Sequence, residues 1–171
     1  MSQPKNVIIF GSSRSNGDTR KMVDYLMESG DFDLINLNTK NIGYYDYEHK
    51  NQDDDFLPLM ENIVEKYETI VFATPVYWYS MSAILKTFFD RITDLLQIRK
   101  ETGRKLRSMN MAMLSCSMED DRIETFDRVF IGSADYLGMK YLGDVHTWLK
   151  NGAIPPIVKS RLDEFLEKIN G

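Results

Sequence analysis

Cysteine is almost missing from this sequence: Cys116 is the only one in 171 residues. A lone thiol excludes an intrachain disulfide and any all-cysteine metal or iron–sulfur site built within one chain. A chain of this length buries most of the apolar surface that unfolding exposes, so it needs no such staples. A reducing compartment fits, and the cytoplasm is the default expectation. Long hydrophobic runs are lacking too, and no stretch of about 18 apolar residues reads as a membrane span. The opening Met1-Ser2-Gln3-Pro4-Lys5 leads straight into a short strand-like run and is too brief for a signal peptide. Excess positive charge is absent: a net charge of −5 argues against nucleic acid as the main partner. Histidine is limited to His49 and His146. His49 precedes Asp53, Asp54 and Asp55, a cluster that reads as a solvated acidic helix start. His146 has no partner at metal-site spacing and reads as structural, so no metal is expected.

What the chain does have is alternation. Val7-Ile8-Ile9-Phe10 is an apolar run closed by Gly11, as for a strand buried on both faces. A helix carrying Met22, Val23, Leu26 and Met27 follows and stops near Gly30. Phe32, Leu34, Ile35 and Leu37 suggest a second strand. Residues 38–55 are polar, carry Tyr44, Tyr45 and Tyr47, and read as a loop long enough to imply function or an interface. A helix over about 55–67 leads to a strand at Thr69–Ala73, broken by Thr74-Pro75. The clearest helix carries Ile84, Leu85, Phe88, Phe89, Ile92, Leu95 and Leu96. A charged connection around Gly103 separates it from a strand at Met109, Met111, Met113 and Leu114. A helix with Ile123, Phe126, Phe130, Ala134 and Leu137, a strand near Tyr141–Trp148 and a helix from Pro155-Pro156 complete the chain. Five strands alternating with helices predict one α/β domain over 1–171, a parallel sheet with helices on both faces. Ligands of such sheets bind beyond the carboxyl ends of the strands.

Three loops of special composition fall at those ends. The first, Gly11-Ser12-Ser13-Arg14-Ser15-Asn16-Gly17-Asp18-Thr19, opens the first helix, whose terminal amides and dipole favour an anion. Hydroxyls of Ser12, Ser15 and Thr19 and the Arg14 guanidinium are donors suited to phosphate. The loop has neither Gly-x-x-x-x-Gly-Lys-Ser/Thr nor Gly-x-Gly-x-x-Gly, which argues against a nucleoside triphosphate or a dinucleotide there. The bland alternative is a turn capped by Asp18 or Thr19. The second loop, Thr74-Pro75-Val76-Tyr77-Trp78-Tyr79-Ser80, offers a planar ring an aromatic rest and main-chain amides. Its aromatics serve equally for core or subunit packing. The third, Ser115-Cys116-Ser117, is small enough to admit a ring edge, and Cys116 reads as a bystander thiol because nothing nearby in sequence lowers its pKa.

Together these loops resemble the flavodoxin-like NADPH-dependent FMN reductase and NAD(P)H:quinone oxidoreductase families. Gly11 to Thr19 matches their FMN-phosphate loop. Thr74 to Lys86, running on to Phe89-Asp90-Arg91, looks like their flavin-ring segment and following helix. The resemblance implies a doubly wound five-stranded sheet in the order 2-1-3-4-5. It places Ser12, Arg14, Ser15, Asn16, Gly17, Asp18 and Thr19 around the phosphate, with the Asp18 backbone amide rather than its carboxylate facing the anion. It places Pro75, Val76, Tyr77, Trp78, Tyr79 and Ser80 against the isoalloxazine, with Ser115, Cys116 and Ser117 as a third wall. The chain is similar in particular to iron–sulfur flavoproteins, whose clustered cysteines follow the second strand. Here that loop reads Asn41-Ile42-Gly43-Tyr44-Tyr45-Asp46-Tyr47-Glu48-His49, so a cluster is rejected.

The implied activity is NAD(P)H-dependent: hydride from the nicotinamide reduces FMN, and a small acceptor such as a quinone, flavin or nitroaromatic takes the electrons. No acid–base residue is singled out; Tyr77, Tyr79 and His146 are equally open. The alternative is a flavodoxin-type electron carrier without its own NAD(P)H turnover. A homodimer or dimer of dimers, formed through residues 38–55 and Tyr77 to Tyr79, is expected to cover the flavin.

Overall fold

The computed structural model describes residues 5–171, so Met1 to Pro4, read above as too short for a signal peptide, lie outside the described residues. Strands β1 (Asn6–Phe10), β2 (Phe32–Asn36), β3 (Thr69–Pro75), β4 (Asn110–Ser117) and β5 (Lys140–Trp148) form one sheet. All pairings are parallel and the order is 2-1-3-4-5, as the resemblance implies. The helices are α1 (Asp18–Ser29), α2 (Phe56–Lys66), α3 (Ala83–Gln97), α4 (Lys100–Lys105), α5 (Arg128–Leu137) and α6 (Pro156–Asn170).

The two-residue period of the strands divides the core. Val7, Ile9, Ile70, Phe72, Met111 and Met113 pack with the apolar faces of α2, α3 and α5. Ile8, Phe10, Val71, Ala73, Ala112 and Leu114 pack with those of α1 and α6. Burial on both faces explains why the strands read as continuous apolar runs rather than as alternating ones. From β1 the chain moves to one side through β2 and to the other through β3, so the switch point lies between the carboxyl ends of β1 and β3. There the Gly11 amide donates to the Ala73 carbonyl at 2.9 Å. A Cβ on Gly11 would sit 2.7 Å from the Leu85 Cβ, so glycine is what lets α3 start this close to the end of β1.

Several boundaries differ from expectation. β3 continues through Pro75, which pairs with Cys116 at the end of the ladder where its missing donor costs little. β2 stops at Asn36, and Leu37 enters a 3₁₀ turn. The connection after α3 holds the short helix α4 and a second 3₁₀ turn at Leu106–Ser108. α5 begins at Arg128, leaving Phe126 buried just ahead of it and Ile123 exposed.

The largest correction concerns the acidic stretch before α2. Asp54 is not solvated; its side chain is 8 % exposed and pairs with the fully buried Arg91 of α3. The Arg91 guanidinium donates to Asp54, to Asp94 and to the carbonyls of Gly43 and Asn51. His49 meets Asp94 at 2.8 Å through Nδ1. One arginine therefore fastens residues 43–54 to α3, and the long loop is a fixed feature of the fold. No group of three metal-ligating side chains occurs among the described residues.

Candidate active site

At the end of β1 the chain turns through Ser12 to Asn16 into α1. Gly17 caps this helix without a side-chain hydrogen bond, so no side chain occupies the first-turn amides. The Ser12 hydroxyl is buried and accepts from the Arg14 amide at 3.3 Å. The Arg14 guanidinium forms no ion pair with any described residue. A free cation, a buried hydroxyl and an uncapped helix start thus lie together, the donor set that suits a phosphate. The Asn38 side chain donates to the Ser12 carbonyl and that of Asn36 to the Ser15 hydroxyl at 3.0 Å, so the end of β2 braces the loop from behind.

The second loop is tied to the first. Ser82 caps α3 by accepting from the Leu85 amide at 3.2 Å and donates to the Gly11 carbonyl at 2.7 Å. The Thr74 hydroxyl accepts from the Ser82 amide at 3.0 Å. Between these anchors, Tyr77 and Ser80 exchange backbone hydrogen bonds at 2.9 and 3.1 Å, closing a two-residue turn over Trp78 and Tyr79. Both central residues are left-handed, with φ of 48° and 63°. Turns of this kind favour Asn-Gly, and bulky residues there are strained. The strain holds two aromatic side chains out in the open: Trp78 is 94 % exposed and Tyr79 62 %. The Tyr77 hydroxyl lies 3.0 Å from that of Ser13, linking the aromatic turn to the first loop.

The third wall follows β4. Cys116 is buried; desolvation pushes its thiol pKa up, the Asp18 carboxylate adds to the rise, and the hydroxyls of Thr147 and Thr19 oppose it. Burial therefore favours the protonated thiol at neutral pH. After Ser117 the chain turns outward through Met118, Glu119 and Asp121.

The three loops enclose a cavity of about 510 Å³. Of the residues expected at the site, Ser12, Arg14, Gly17, Asp18, Thr19, Pro75, Val76, Tyr77, Trp78, Tyr79, Cys116 and Ser117 line it. Ser15, Asn16, Ser80 and Ser115 do not: Ser15 is engaged by Asn36, Ser80 closes the aromatic turn, and Ser115 is fully buried against His146. Sequence reasoning missed Met118, Glu119 and Asp121, although their place just beyond a strand carboxyl end was a usable signal. His146 is not among the lining residues. Its partners are the hydroxyls of Ser115 and Ser117, which spacing along the sequence does not reveal.

Residues 4–154 match the NADPH-dependent FMN reductase family. The chain belongs to that family. It is similar to YwqN of Bacillus subtilis (strain 168), which its name assigns provisionally to the NAD(P)H-dependent FMN-containing oxidoreductases. The two are 31% identical over 99 residues, 54% of this chain and 54% of that protein. It is similar also to an iron-sulfur flavoprotein of Archaeoglobus fulgidus, at 30% identity over 101 residues, 52% of this chain and 45% of that one. The chain thus spans about half the length of these curated relatives. Its fold is shared with the Trp repressor binding protein from Bacillus subtilis, at a TM-score of 0.70, 22% identity and coverage of 95% and 98% of the two chains. In this FMN reductase family member, the matched span contains all three loops that line the cavity. No helix among the described residues is long and apolar enough to cross a membrane.

Proposed function

We propose that this chain is a single FMN-binding unit that passes electrons from NAD(P)H to a small acceptor such as a quinone, a flavin or a nitroaromatic. The observation that carries the reading is one cavity shared by the unpaired Arg14, the uncapped start of α1 and the strained aromatic turn. Its volume of about 510 Å³ lies within the range of small-molecule sites. Arg14, the Ser12 hydroxyl and the first amides of α1 hold the phosphate. Pro75 to Tyr79 hold the ring system, with Cys116 and Ser117 opposite.

Bound FMN supplies the hydride and electron chemistry. The protein supplies place and charge. The amides of Val76 and Tyr77 are engaged by the carbonyls of Cys116 and Ser80, which leaves those of Trp78 and Tyr79, fixed by the turn, to favour the negative charge that reduction brings without reorganising at each turnover. No side chain of the cavity is assigned as a proton donor, since Tyr77 and Tyr79 are both at hand and nothing distinguishes them. The Asp18 carboxylate stays exposed at the helix start and leaves the amides to the anion.

The assembly we propose is a homodimer or dimer of dimers in a reducing cytoplasm. Trp78 and Tyr79, together with Tyr44 at 79 % and Tyr47 at 89 % exposure, are a large aromatic display for one isolated chain. The test is a visible spectrum of the purified protein with FMN, then anaerobic NADH or NADPH, then a quinone. Saturable bleaching followed by recovery supports the enzyme. Bound FMN that bleaches no faster than free FMN points instead to a carrier, and no FMN binding overturns the reading entirely.

A further inference from the structure

His146 stands behind the third wall of the cavity, on β5 directly opposite Ser115. It is 6 % exposed. Nδ1 lies 2.9 Å from the Ser115 hydroxyl, and Nε2 lies 3.1 Å from the Ser117 hydroxyl and 3.2 Å from the Glu119 carbonyl. The Ser117 hydroxyl is in turn 2.6 Å from the Asp121 carboxylate and 2.7 Å from the Glu119 carbonyl.

Proton accounting fixes the tautomer. Ser117 has one hydroxyl hydrogen, and both of its other neighbours are pure acceptors, so that hydrogen points away from the imidazole. Nε2 then faces two acceptors, the Ser117 oxygen and the Glu119 carbonyl, and must carry a hydrogen. Nδ1 accepts from Ser115, whose only other acceptor among the described residues, the Val145 carbonyl, is 3.5 Å away. Protonating Nδ1 would turn the Ser115 hydroxyl toward that weak partner. The chain of bonds also dead-ends there: Ser115 is fully buried, so nothing resupplies a proton that Nε2 gives up. This arrangement cannot feed protons to the cavity. It can hold a loop in place.

We propose that His146 is a positioning residue for the FMN site, a neutral Nε2–H imidazole that clamps Ser117 and Glu119 and so sets the third wall of the cavity. The inference rests on the FMN reading above. Two outer ties, Arg161 with Asp120 and Arg122 with Asp144, hold the rim of the same loop. His146 ties its inner turn to β5, where the Ser117 hydroxyl that it holds also binds Glu119 and Asp121. Charged groups face the imidazole from every side: Asp120, Asp121 and Arg122 from the loop, Asp144 from β5, and Arg161, Glu164 and Lys168 from α6. Burial nevertheless dominates and pushes the His146 pKa down; the Glu119 carbonyl and the two aspartates oppose this, and Arg122 reinforces it.

The experiment compares wild type, His146→Leu and His146→Gln. Long-range proton–nitrogen spectra of the wild-type imidazole at neutral pH should show the Nε2–H tautomer; the Nδ1–H tautomer overturns the proposal. FMN affinity, read by quenching of flavin fluorescence, should fall about tenfold or more in His146→Leu, the scale of a lost buried hydrogen-bond set. His146→Gln should recover most of it, because the carboxamide returns an N–H donor toward Ser117 and Glu119. An affinity in His146→Leu within twofold of wild type overturns the proposal, as does a Gln variant no better than Leu. If His146→Leu does not fold, the tautomer and the Gln variant decide. Wild-type protein that binds no FMN defeats the functional reading alone. Amide exchange at Met118 to Asp121, faster in Leu and restored in Gln, then tests the clamp, and equal exchange in all three overturns it.

Discussion

Replacing Arg91 by Met would remove the cation that fastens residues 43–54 to α3 while keeping most of its hydrophobic volume. Arg91 is fully buried, and its two carboxylate partners, Asp94 and Asp54, are only 3 % and 8 % exposed. The bonds lost are Nε to Asp94 at 2.6 Å, both terminal nitrogens to Asp54, and those to the carbonyls of Gly43 at 3.0 Å and Asn51 at 2.9 Å. Removing one member of a buried pair costs about 3–5 kcal/mol, because an uncompensated charge stays behind. Two carboxylates are left here, but the cost does not double. Asp94 keeps His49 at 2.8 Å, and Asp54 keeps the amides of Gly43 at 2.7 Å and Phe56 at 2.9 Å. The loop can also open and return Asp54 to water, whereas Asp94, on α3, cannot leave. About 3–5 kcal/mol is therefore the whole effect. With a urea slope of about 2 kcal/mol per molar, the midpoint should fall by roughly 1.5–2.5 M.

Acid should shrink that difference. Burial raises the Asp54 pKa, but Arg91 and the amides of Phe56 and Gly43 outweigh it and hold the carboxyl below its ordinary value. A carboxylate depressed in the folded state stabilises fully above its unfolded pKa of about 3.9 and loses that contribution as pH falls through the folded value. Without Arg91, burial dominates and Asp54 takes up a proton more readily. The gap between wild type and variant is then widest near neutrality and narrows toward pH 4. A midpoint within 0.5 M of wild type, roughly the scatter of such fits, or a gap that widens in acid, would refute the buried-clamp reasoning.

Arg14→Ala should weaken FMN roughly ten- to a hundredfold, the value of about 1.5–3 kcal/mol for a charged hydrogen bond, while riboflavin affinity stays nearly unchanged. Equal losses for both ligands, measured by fluorescence quenching, would remove Arg14 from the phosphate. The double substitution Trp78→Asn with Tyr79→Gly should stabilise the apo-protein by about 1–2 kcal/mol, by relieving two left-handed bulky residues, yet reduce FMN affinity; thermal unfolding without ligand and a binding titration check the two halves. Stability of wild type relative to His146→Gln should decline as pH falls below about 6.5, the unfolded imidazole value, because the folded pKa is depressed; a difference that stays flat or grows as pH falls below that value contradicts this. Light scattering at micromolar concentration with FMN bound should report a dimer or tetramer, and a monomer removes the proposed assembly.

The parts of this molecule that could be read in advance are those governed by local pattern. Strands buried on both faces leave continuous apolar runs, and β1, β3 and β4 were legible for that reason. Most of the cavity was legible as well, because the topology delivers its three loops to one edge of the sheet. Arg91 was not. It falls on the buried stripe of α3 between Phe88 and Leu95, and that phase was a signal. One partner, Asp94, is three residues on, but the other, Asp54, is 37 residues earlier, and that pairing leaves no periodic trace. Asp54 was misread for the same reason, since an acidic residue before a helix has a sufficient local explanation. His146 read as structural, but its partners could not be named, because they sit on the neighbouring strand, a contact set by register and invisible to spacing along the chain.

The remaining departures from local rule have a common address. A well-formed chain places Asn-Gly where Tyr77 and Ser80 close their turn, a capping side chain at Gly17, and a counterion beside Arg14. This chain has Trp78 and Tyr79 and, among the described residues, no side-chain cap and no counterion. The strained turn costs stability and the uncapped helix start forgoes a little, and sequences that fold well keep such conflicts few. Scattered over the surface, they would be three unrelated defects. All of them line one cavity at the switch point of the sheet. A dianionic phosphate joined to a flat ring satisfies each in turn, supplying the anion that Arg14 and the free amides lack and the stacking surface toward which the strained aromatics are held. The cofactor reading therefore gains its strength from what the folded chain leaves unfinished.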